Sequence, residues 1–270
     1  MFASQVLGRE LRAGVKSLLI WAVALLFGVV SGMTKYTALS AAGGGATMGE
    51  LMKQMPESLR ALLGFGNLDV TTMVGYIVLL VLYFELALAI HAGLLGAGTL
   101  SKEERLHTTE FLYSKPVARF AVATAKFAAA LVQLAVLNLV TLGATLAILP
   151  AYNHGPDITS QVLNLFGGVA FVQVVFLTAG FALAALLRDS RRAGAWASVL
   201  VVATYFLDRM APLSTVVADF DVLSPFSWFH LDELAAGQAL SAVAMAVSAL
   251  LAVAMLAVTL WGFPKRDLRV

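Results

Sequence analysis

Long apolar stretches alternate with short polar segments along most of the 270-residue chain. A helix of about 20 mostly apolar residues is long enough to cross the hydrocarbon core of a bilayer. Six stretches reach this length, and we predict transmembrane helices at 15–33, 73–100, 117–149, 161–187, 193–211 and 239–262. The fifth stretch is the shortest, because Asp208 and Arg209 mark its end. The pattern predicts an all-α membrane protein with a single transmembrane domain over residues 1–270.

The segments outside the predicted spans differ in character. The N-terminal residues, MFASQVLGRELRAGVKSLL, spread their charges in an amphipathic pattern and show no small-residue cleavage site after the apolar run. We therefore predict an amphipathic helix on the membrane surface that leads into an uncleaved first span. Residues 212–238 are too polar to span, and they can enter a bilayer only where other helices cover them.

Composition supports a membrane protein and excludes several kinds of site. The chain is 60% hydrophobic and 13% charged, whereas soluble domains have roughly 45–50% apolar and about 25% charged residues. The chain has no cysteine, which excludes disulfides and thiolate metal sites. His230, Asp232 and Glu233 lack a second nearby histidine, so no metal site is predicted there. We expect no cofactor and no nucleic-acid partner.

The basic residues indicate an orientation. Six spans place both termini on one side of the membrane. If that side is the cytoplasm, only Lys35, Lys53, Arg60 and Arg209 of the 18 Lys and Arg residues lie outside. Cytoplasmic loops carry an excess of Lys and Arg. We therefore expect a multi-pass protein of the cell membrane (plasma or inner membrane) with both termini in the cytoplasm.

The segment between the second and third predicted spans, SKEERLHTTEFLYSKPVAR at 101–119, carries most of the charge of that region. Ser101 and Glu104 have the spacing of a capping box, which predicts a helix beginning at Lys102. Pro116 suits the start of the third span. Two interpretations remain open: a charged loop that only obeys the positive-inside rule, or a helix that seats in a groove of a soluble protein.

The segment EERLHTTEFLYSKPVARFAVATAKF resembles the connection between the second and third spans of type-2 ABC transporter permeases. That connection commonly has an acidic pair, Gly-Thr-Leu-Glu, an apolar triplet, Ser-x-Pro-Val-Ser-Arg and a later Lys-Phe. The matching residues are Glu104, Thr108, Glu110, Leu112, Ser114, Pro116, Val117, Arg119, Lys126 and Phe127. The chain departs from the pattern at His107, where the family usually has Gly, and at Thr109, where it usually has Leu.

The resemblance implies a coupling helix over residues 101–114, gripped by a separate ABC ATP-binding subunit. The implied contacts are Glu103, Glu104, Arg105, Leu106, Thr108, Glu110, Phe111 and Leu112. The chain has no G-x-x-x-x-G-K-[ST] loop, so ATP and Mg are expected in the partner and this chain is expected to be non-catalytic. The resemblance also implies a dimer with a second permease copy or homologue, and export as the direction of transport.

Polar residues inside the spans are the candidates for a substrate pathway. Glu85 and His91 lie near the middle of the second span, where an isolated charge costs on the order of 3 kcal/mol. Their spacing turns them about 120° apart around the helix, so each needs its own partner. Candidate partners are Gln133 and Asn138 in the third span and Gln173 in the fourth. Pathway lining and plain interhelical hydrogen bonding both remain open.

Other functions remain alternatives to the permease. A proton-coupled secondary transporter would use Glu85 and His91, but the two halves of the chain show no clear inverted repeat. An anchoring protein would use the 101–119 segment only to dock a partner. Gly93, Gly96 and Gly98 predict close packing at the end of the second span. The substrate is not predicted, although the scarcity of charge in the spans favours amphiphilic or hydrophobic cargo.

Overall fold

A computed structural model describes residues 2–41, 54–56, 59–60, 69–109, 118–187, 189 and 192–265. Its helices are α1 (Phe2–Ala41), α2 (Met73–Leu100), α3 (Lys102–Arg105), α4 (Arg119–Tyr152), α5 (Thr159–Leu186), α6 (Ala193–Met210), α7 (Thr215–Ala218), α8 (Leu231–Ala235) and α9 (Ala242–Lys265). Two 3₁₀ turns lie at Ala211–Leu213 and Asp221–Leu223. The described residues contain no strand, and the all-α prediction is confirmed.

Among the residues that the structure describes, five helices are long and apolar enough to cross a membrane. They are Gln5–Thr37 within α1, Met73–Leu100, Arg119–Tyr152, Thr159–Leu186 and Ala242–Lys265. Each overlaps one of the predicted spans. The prediction of six spans is not confirmed, because α6, at the predicted span 193–211, has only 18 residues and ends on Asp208, Arg209 and Met210.

The predicted N-terminal amphipathic helix is not a separate element. α1 is one helix of 40 residues, which corresponds to about 60 Å at 1.5 Å per residue. The hydrocarbon core of a bilayer is only about 30 Å thick. The first turns of α1 therefore extend beyond its apolar stretch, and Glu10 in those turns is buried against other parts of the chain.

The closest contact in the bundle joins α2 to α5. A Cβ built at Gly96 would overlap the carbonyl oxygen of Leu177, and one at Gly180 would overlap that of Gly93. Small residues let helix backbones approach in membranes, where burial of apolar surface between helices gives little driving force. The prediction of close packing is confirmed at Gly93 and Gly96. It is wrong at Gly98, where a Cβ would have no described atom within 4 Å.

The other long helices surround this central pair. α1 lies along α4, α9 lies along α5, and α6 lies along α2. One end of the bundle, which we call the basic end, contains the start of α1, the end of α2, the start of α4 and the ends of α5 and α9. Two contacts illustrate this arrangement: Arg119 Nη1 donates to the Pro264 carbonyl oxygen at 3.1 Å, and Phe127 packs edge-on against Phe181 at 5.5 Å.

Helices α5 and α9 run parallel to each other. Leu240, just before α9, lies against Gly167 near the start of α5. At the other end, Gly262 lies against Leu186, the last residue of α5. Because the chain leaves α5 at the basic end, it must cross the bundle again before α9 begins. α6 makes the first part of that crossing, from Gly194 beside Leu94 of α2.

Residues 211–241, which we call the return segment, connect α6 to α9. Residues 212–223 are mostly exposed, whereas residues 224–229 are largely buried against α5 and α6. Phe226 packs between Tyr205 of α6, at 5.4 Å between ring centres, and Phe176 in the second half of α5, at 5.3 Å. Further along, Phe229 stacks on Phe171 at 5.6 Å. Helices therefore cover the part of this segment around Phe226 and Phe229, while its first twelve residues, 212–223, are mostly exposed.

The glycine contact generates a testable prediction. Gly96→Ala would force a methyl group into the Leu177 backbone, which cannot move aside as a flexible side chain could. We expect a loss of about 1–3 kcal/mol of stability, seen as a lower melting temperature of the detergent-purified chain. Gly98→Ala is the matched control, since its methyl group meets open space and should not lower the melting temperature. Equal melting temperatures for the two variants would contradict the backbone contact between α2 and α5, which we call the glycine crossing.

Candidate functional site

The candidate site lies at the basic end, where α3 follows α2 with only Ser101 between them. α3 begins at Lys102, as predicted, but the predicted capping box is wrong. The hydroxyl of Ser101 donates back to the Ala97 carbonyl oxygen at 2.7 Å and makes no bond to the first turn of α3. The serine therefore ends α2 instead of starting α3, and the two helices share a rigid junction.

α3 ends after one turn because the chain reverses at His107. The backbone N–H of Thr108 donates to the Glu103 carbonyl at 2.9 Å, and that of His107 to the Glu104 carbonyl at 3.4 Å. This pair of bonds is a Schellman motif, which places one residue in the left-handed region. His107 occupies it with φ of 54°. The coupling helix predicted over 101–114 is therefore not continuous.

The left-handed turn explains the departure from the pattern of type-2 permeases noted above. The position that usually carries Gly in those proteins is His107 here. Glycine adopts the left-handed region freely, whereas a residue with a Cβ pays roughly 1–2 kcal/mol. This chain makes the left-handed turn with a histidine, at a position where glycine would carry no such cost.

A buried ammonium group lies beneath α3. Lys126, two turns into α4, is 1% exposed. Its Nζ donates to the Thr99 carbonyl oxygen of α2 at 2.6 Å and to the carboxylate of Glu103. Lys126 thereby joins α4 to the end of α2 and to α3.

Three more charged residues extend this pair into a cluster. Arg9 of α1 contacts Glu103 at 2.7 Å and its neighbour Glu10 at 2.8 Å. Lys102 contacts the other oxygen of Glu10 at 2.9 Å. We call these five residues the basic-end cluster: Arg9, Glu10, Lys102, Glu103 and Lys126. The cluster ties α1, α3 and α4 together through charge-assisted hydrogen bonds, which are stronger than neutral ones.

The surface above the cluster is a turn formed by Arg105, Leu106, His107 and Thr108, all exposed. We call residues 105–108 the exposed turn. Leu106 is 57% exposed although it is apolar. Glu103 and Glu104 are buried within the chain, so Arg105, Leu106 and Thr108 are the described predicted contacts that face outwards. The other predicted contacts, Glu110, Phe111 and Leu112, lie outside the described residues.

The structure does not bring the candidate pathway residues together. The His91 ring lies 4.8 Å from that of Trp21 in α1. Gln133 is also turned towards α1, where its amide fills the space that a Cβ at Gly14 would need. Glu85 is instead turned towards α6, whose Arg209 is the opposite charge that acts on it.

Asn138 has a structural partner. Its amide Nδ2 donates to the side-chain oxygen of Gln173 in α5 and to the Leu134 carbonyl. Gln173 Nε2 in turn donates to the Leu88 carbonyl of α2 at 3.4 Å. The chain of amides links α4, α5 and α2, which is how buried amides join helices in membranes.

The basic-end cluster was not predicted from the sequence. Lys126 was identified only as a basic residue of the inner connection and as part of the Lys-Phe match to the permease pattern, and Arg9 and Glu10 only as charges of the N-terminal segment. The available signal was a lysine placed within an apolar stretch, FAVATAKFAAALV. Such a residue is rarely left without an acidic partner.

The basic-end cluster predicts a loss of stability that can be measured in the chain alone, without a partner protein. Glu103→Gln replaces the carboxylate that faces Lys126 by a neutral amide and leaves a buried ammonium with neutral acceptors only. Removing one partner of a buried pair typically costs about 3–5 kcal/mol, and we expect a clear drop in the melting temperature of the purified chain. Arg105→Gln, two residues away but exposed, should leave it unchanged.

A double variant separates the ion pair from other effects of Glu103. Adding Lys126→Met to Glu103→Gln removes the unpaired ammonium, so we expect most of the lost stability to return. If the double variant melts lower still, the two side chains stabilise the fold independently and the pair is not the source of the effect.

Comparison with known proteins agrees with this architecture. Residues 4–268 match the model of a family described as ABC-2 family transporter protein. No curated protein matches the chain. Permeases of this family are membrane transport subunits, generally non-catalytic, and they normally partner with an ATP-binding subunit. Because the match covers nearly the whole chain, the protein belongs to the ABC-2 transporter family, as a membrane-spanning permease subunit of an ABC transporter.

Proposed function

We propose that the chain forms half of the membrane path of an ATP-driven exporter, and that a separate ATP-binding subunit docks on the exposed turn. The observation that carries the proposal is the position of this turn directly above the basic-end cluster. ATP and Mg are bound by the partner, and this chain contributes no catalytic residue.

The contacts describe how a push on the exposed turn would spread. The turn follows α3, which joins α2 rigidly through Ser101. Glu103 connects α3 to α1 through Arg9 and to α4 through Lys126. α2 is in turn locked to α5 at the glycine crossing. A displacement of the turn therefore moves four of the long helices, and a flexible charged loop would transmit none of it.

The pathway itself is proposed to form between two copies of the chain, or between the chain and a homologue. Within one chain, His91, Gln133 and Asn138 each contact a different neighbouring residue. This separation favours a path along the surface between two bundles. It also disfavours proton coupling through Glu85 and His91, since the two side chains face α6 and α1 respectively. We keep amphiphilic or hydrophobic molecules as the proposed cargo and export as the proposed direction.

We further propose that the basic end lies in the cytoplasm and that α6 with the return segment makes the sixth crossing. Both described termini lie at the basic end, because Arg9 of α1 reaches Glu103 and Pro264 of α9 accepts from Arg119. Lys and Arg accumulate on the cytoplasmic side of membrane proteins. Parallel packing of α5 and α9 requires a return between them, which supports an even number of crossings.

Cysteine labelling tests this orientation. The natural chain has no cysteine, so single cysteines report one position each. We expect Asp232→Cys, on the exposed surface of α8, to react with a membrane-impermeant maleimide added to intact cells. Leu106→Cys should react only after the membrane is permeabilised. Labelling of both positions in intact cells would refute the sixth crossing, and the reverse pattern would refute the orientation.

The docking proposal is tested by one apolar side chain. Leu106→Asp places a charge where the partner would cover an exposed leucine, at a cost of roughly 1.5–3 kcal/mol of apolar burial. We expect the amount of co-expressed ATP-binding subunit that co-purifies, and its Mg-dependent ATP hydrolysis, to fall about tenfold.

Val216→Asp is the matched control, since Val216 is 67% exposed and lies in α7, far from the basic end. It should leave co-purification unchanged. Because Leu106 is exposed, the melting temperature of the Leu106→Asp chain alone should equal that of the natural chain. Undiminished co-purification of the Leu106→Asp variant would overturn the exposed turn as the docking surface.

A further inference from the structure

Glu85 is a buried acid for which neither the fold nor the proposed docking surface provides a use. It lies in the middle of α2 and is 1% exposed. Neither of its carboxylate oxygens has a hydrogen-bond partner among the described residues. A buried polar group without a partner is costly, and a buried charge without one is more so. A second arrangement of the helices that gave the Glu85 carboxylate a partner would therefore remove this energetic cost.

The complementary group lies on the neighbouring helix. Arg209, near the end of α6, pairs through Nη2 with Asp208 at 2.9 Å, and its guanidinium lies 5.2 Å from the centre of the Tyr205 ring. Its Nε is buried and has no partner among the described residues. Arg209 attracts Glu85 electrostatically, whereas Asp208 repels it. An unsatisfied donor thus stands near two unsatisfied acceptors across the α2–α6 interface.

The interface between α2 and α6 is looser than the one between α2 and α5. A Cβ at Gly93 would stand 3.3 Å from the Ala197 Cβ and 3.8 Å from the Ala197 carbonyl oxygen, whereas one at Gly96 would overlap the Leu177 carbonyl oxygen. On the side of α2 that faces α5, a Cβ would overlap backbone atoms, which cannot move aside as a flexible side chain can. α6 is therefore the neighbour of α2 that can shift while the glycine crossing stays fixed.

The end of α6 also carries the return segment. Ser224 Oγ donates to the Thr204 carbonyl oxygen at 2.9 Å, and Phe226 packs on Tyr205. From the return segment, Asp221, His230 and Asp232 act electrostatically on Asp208. A shift of the end of α6 would move this covered segment with it, at the part of the bundle away from the basic end.

We propose that Arg209 exchanges between two carboxylates: Asp208, as in this structure, and Glu85, in a second arrangement of α6 against α2. Each arrangement pairs the guanidinium with one acid, and five donors in a rigid fork allow Arg to change partners without being left unpaired. A packed interface with two discrete arrangements is the usual form of a conformational switch. The exchange is a property of this chain alone and does not depend on the ATP-binding subunit.

The test measures the distance between α2 and α6 in the chain by itself, reconstituted in lipid nanodiscs. Spin labels are attached to Tyr83→Cys and Phe206→Cys, both half-exposed positions in a chain without other cysteines. We expect two distance populations, measured by pulsed electron paramagnetic resonance. Glu85→Gln, which keeps the shape of the side chain, should deplete one population, and Asp208→Asn should deplete the other.

The opposite direction of the two changes is the decisive result. We expect Glu85→Gln and Asp208→Asn to change the ratio of the two distance populations about tenfold in opposite directions. A tenfold change corresponds to a difference of about 1.4 kcal/mol in pairing free energy. Asp219→Asn, an exposed acid of the return segment, should leave the ratio unchanged. A single population in the natural chain, or equal distributions in all variants, or shifts of both variants in the same direction, would overturn the exchange. Each variant is first required to elute as a single monodisperse species.

Discussion

The contact between the backbones of α2 and α5 is the constraint on which the rest of the fold depends. Gly93, Gly96 and Gly180 let the two helices touch without intervening side chains, and dispersion between backbones supplies attraction that lipid-exposed apolar surfaces cannot. The other long helices then pack on this pair, α6 on α2 and α9 on α5. Because a fixed central pair leaves its neighbours as the movable parts, the crossing also determines where conformational change can occur.

The basic-end cluster adds a second constraint, and it is of a different kind. Burying Lys126 beside Glu103 is expensive, and well-packed apolar residues would often stabilise a fold as well. The contribution of the cluster is geometric, because the directional bonds of the Glu103 carboxylate with Arg9 and Lys126 fix the mutual positions of three helices. If the partner docks on the exposed turn as proposed, these bonds carry its push to α1 and α4. Apolar packing alone would hold the same helices with less control over their register.

Most of the helical architecture could be predicted from the sequence, because apolar length is a strong signal in a membrane protein. The site could be predicted only in part. The resemblance located residues 101–119, but helix periodicity suggested one continuous helix where the left-handed φ of His107 breaks it. Charge counting likewise placed Lys126 in the cytoplasmic connection, and the resemblance made Glu103 a contact for the partner. Neither identified their pairing, since a pair 23 positions apart is a property of tertiary structure that local patterns do not contain.

The proposed sixth crossing shows the same limit of local patterns in another form. Hydropathy measures what a segment would gain by facing lipid, and α6 scores poorly because it ends on Asp208 and Arg209, which are largely covered by protein. Phe226 and Phe229 reach aromatic rings of α5 along this route, so irregular backbone is covered by helices and its polar groups need no contact with lipid. A crossing built in this way can contain charged side chains. In the exchange proposed above, Arg209 and its two acids use this property, which a uniformly apolar helix could not offer.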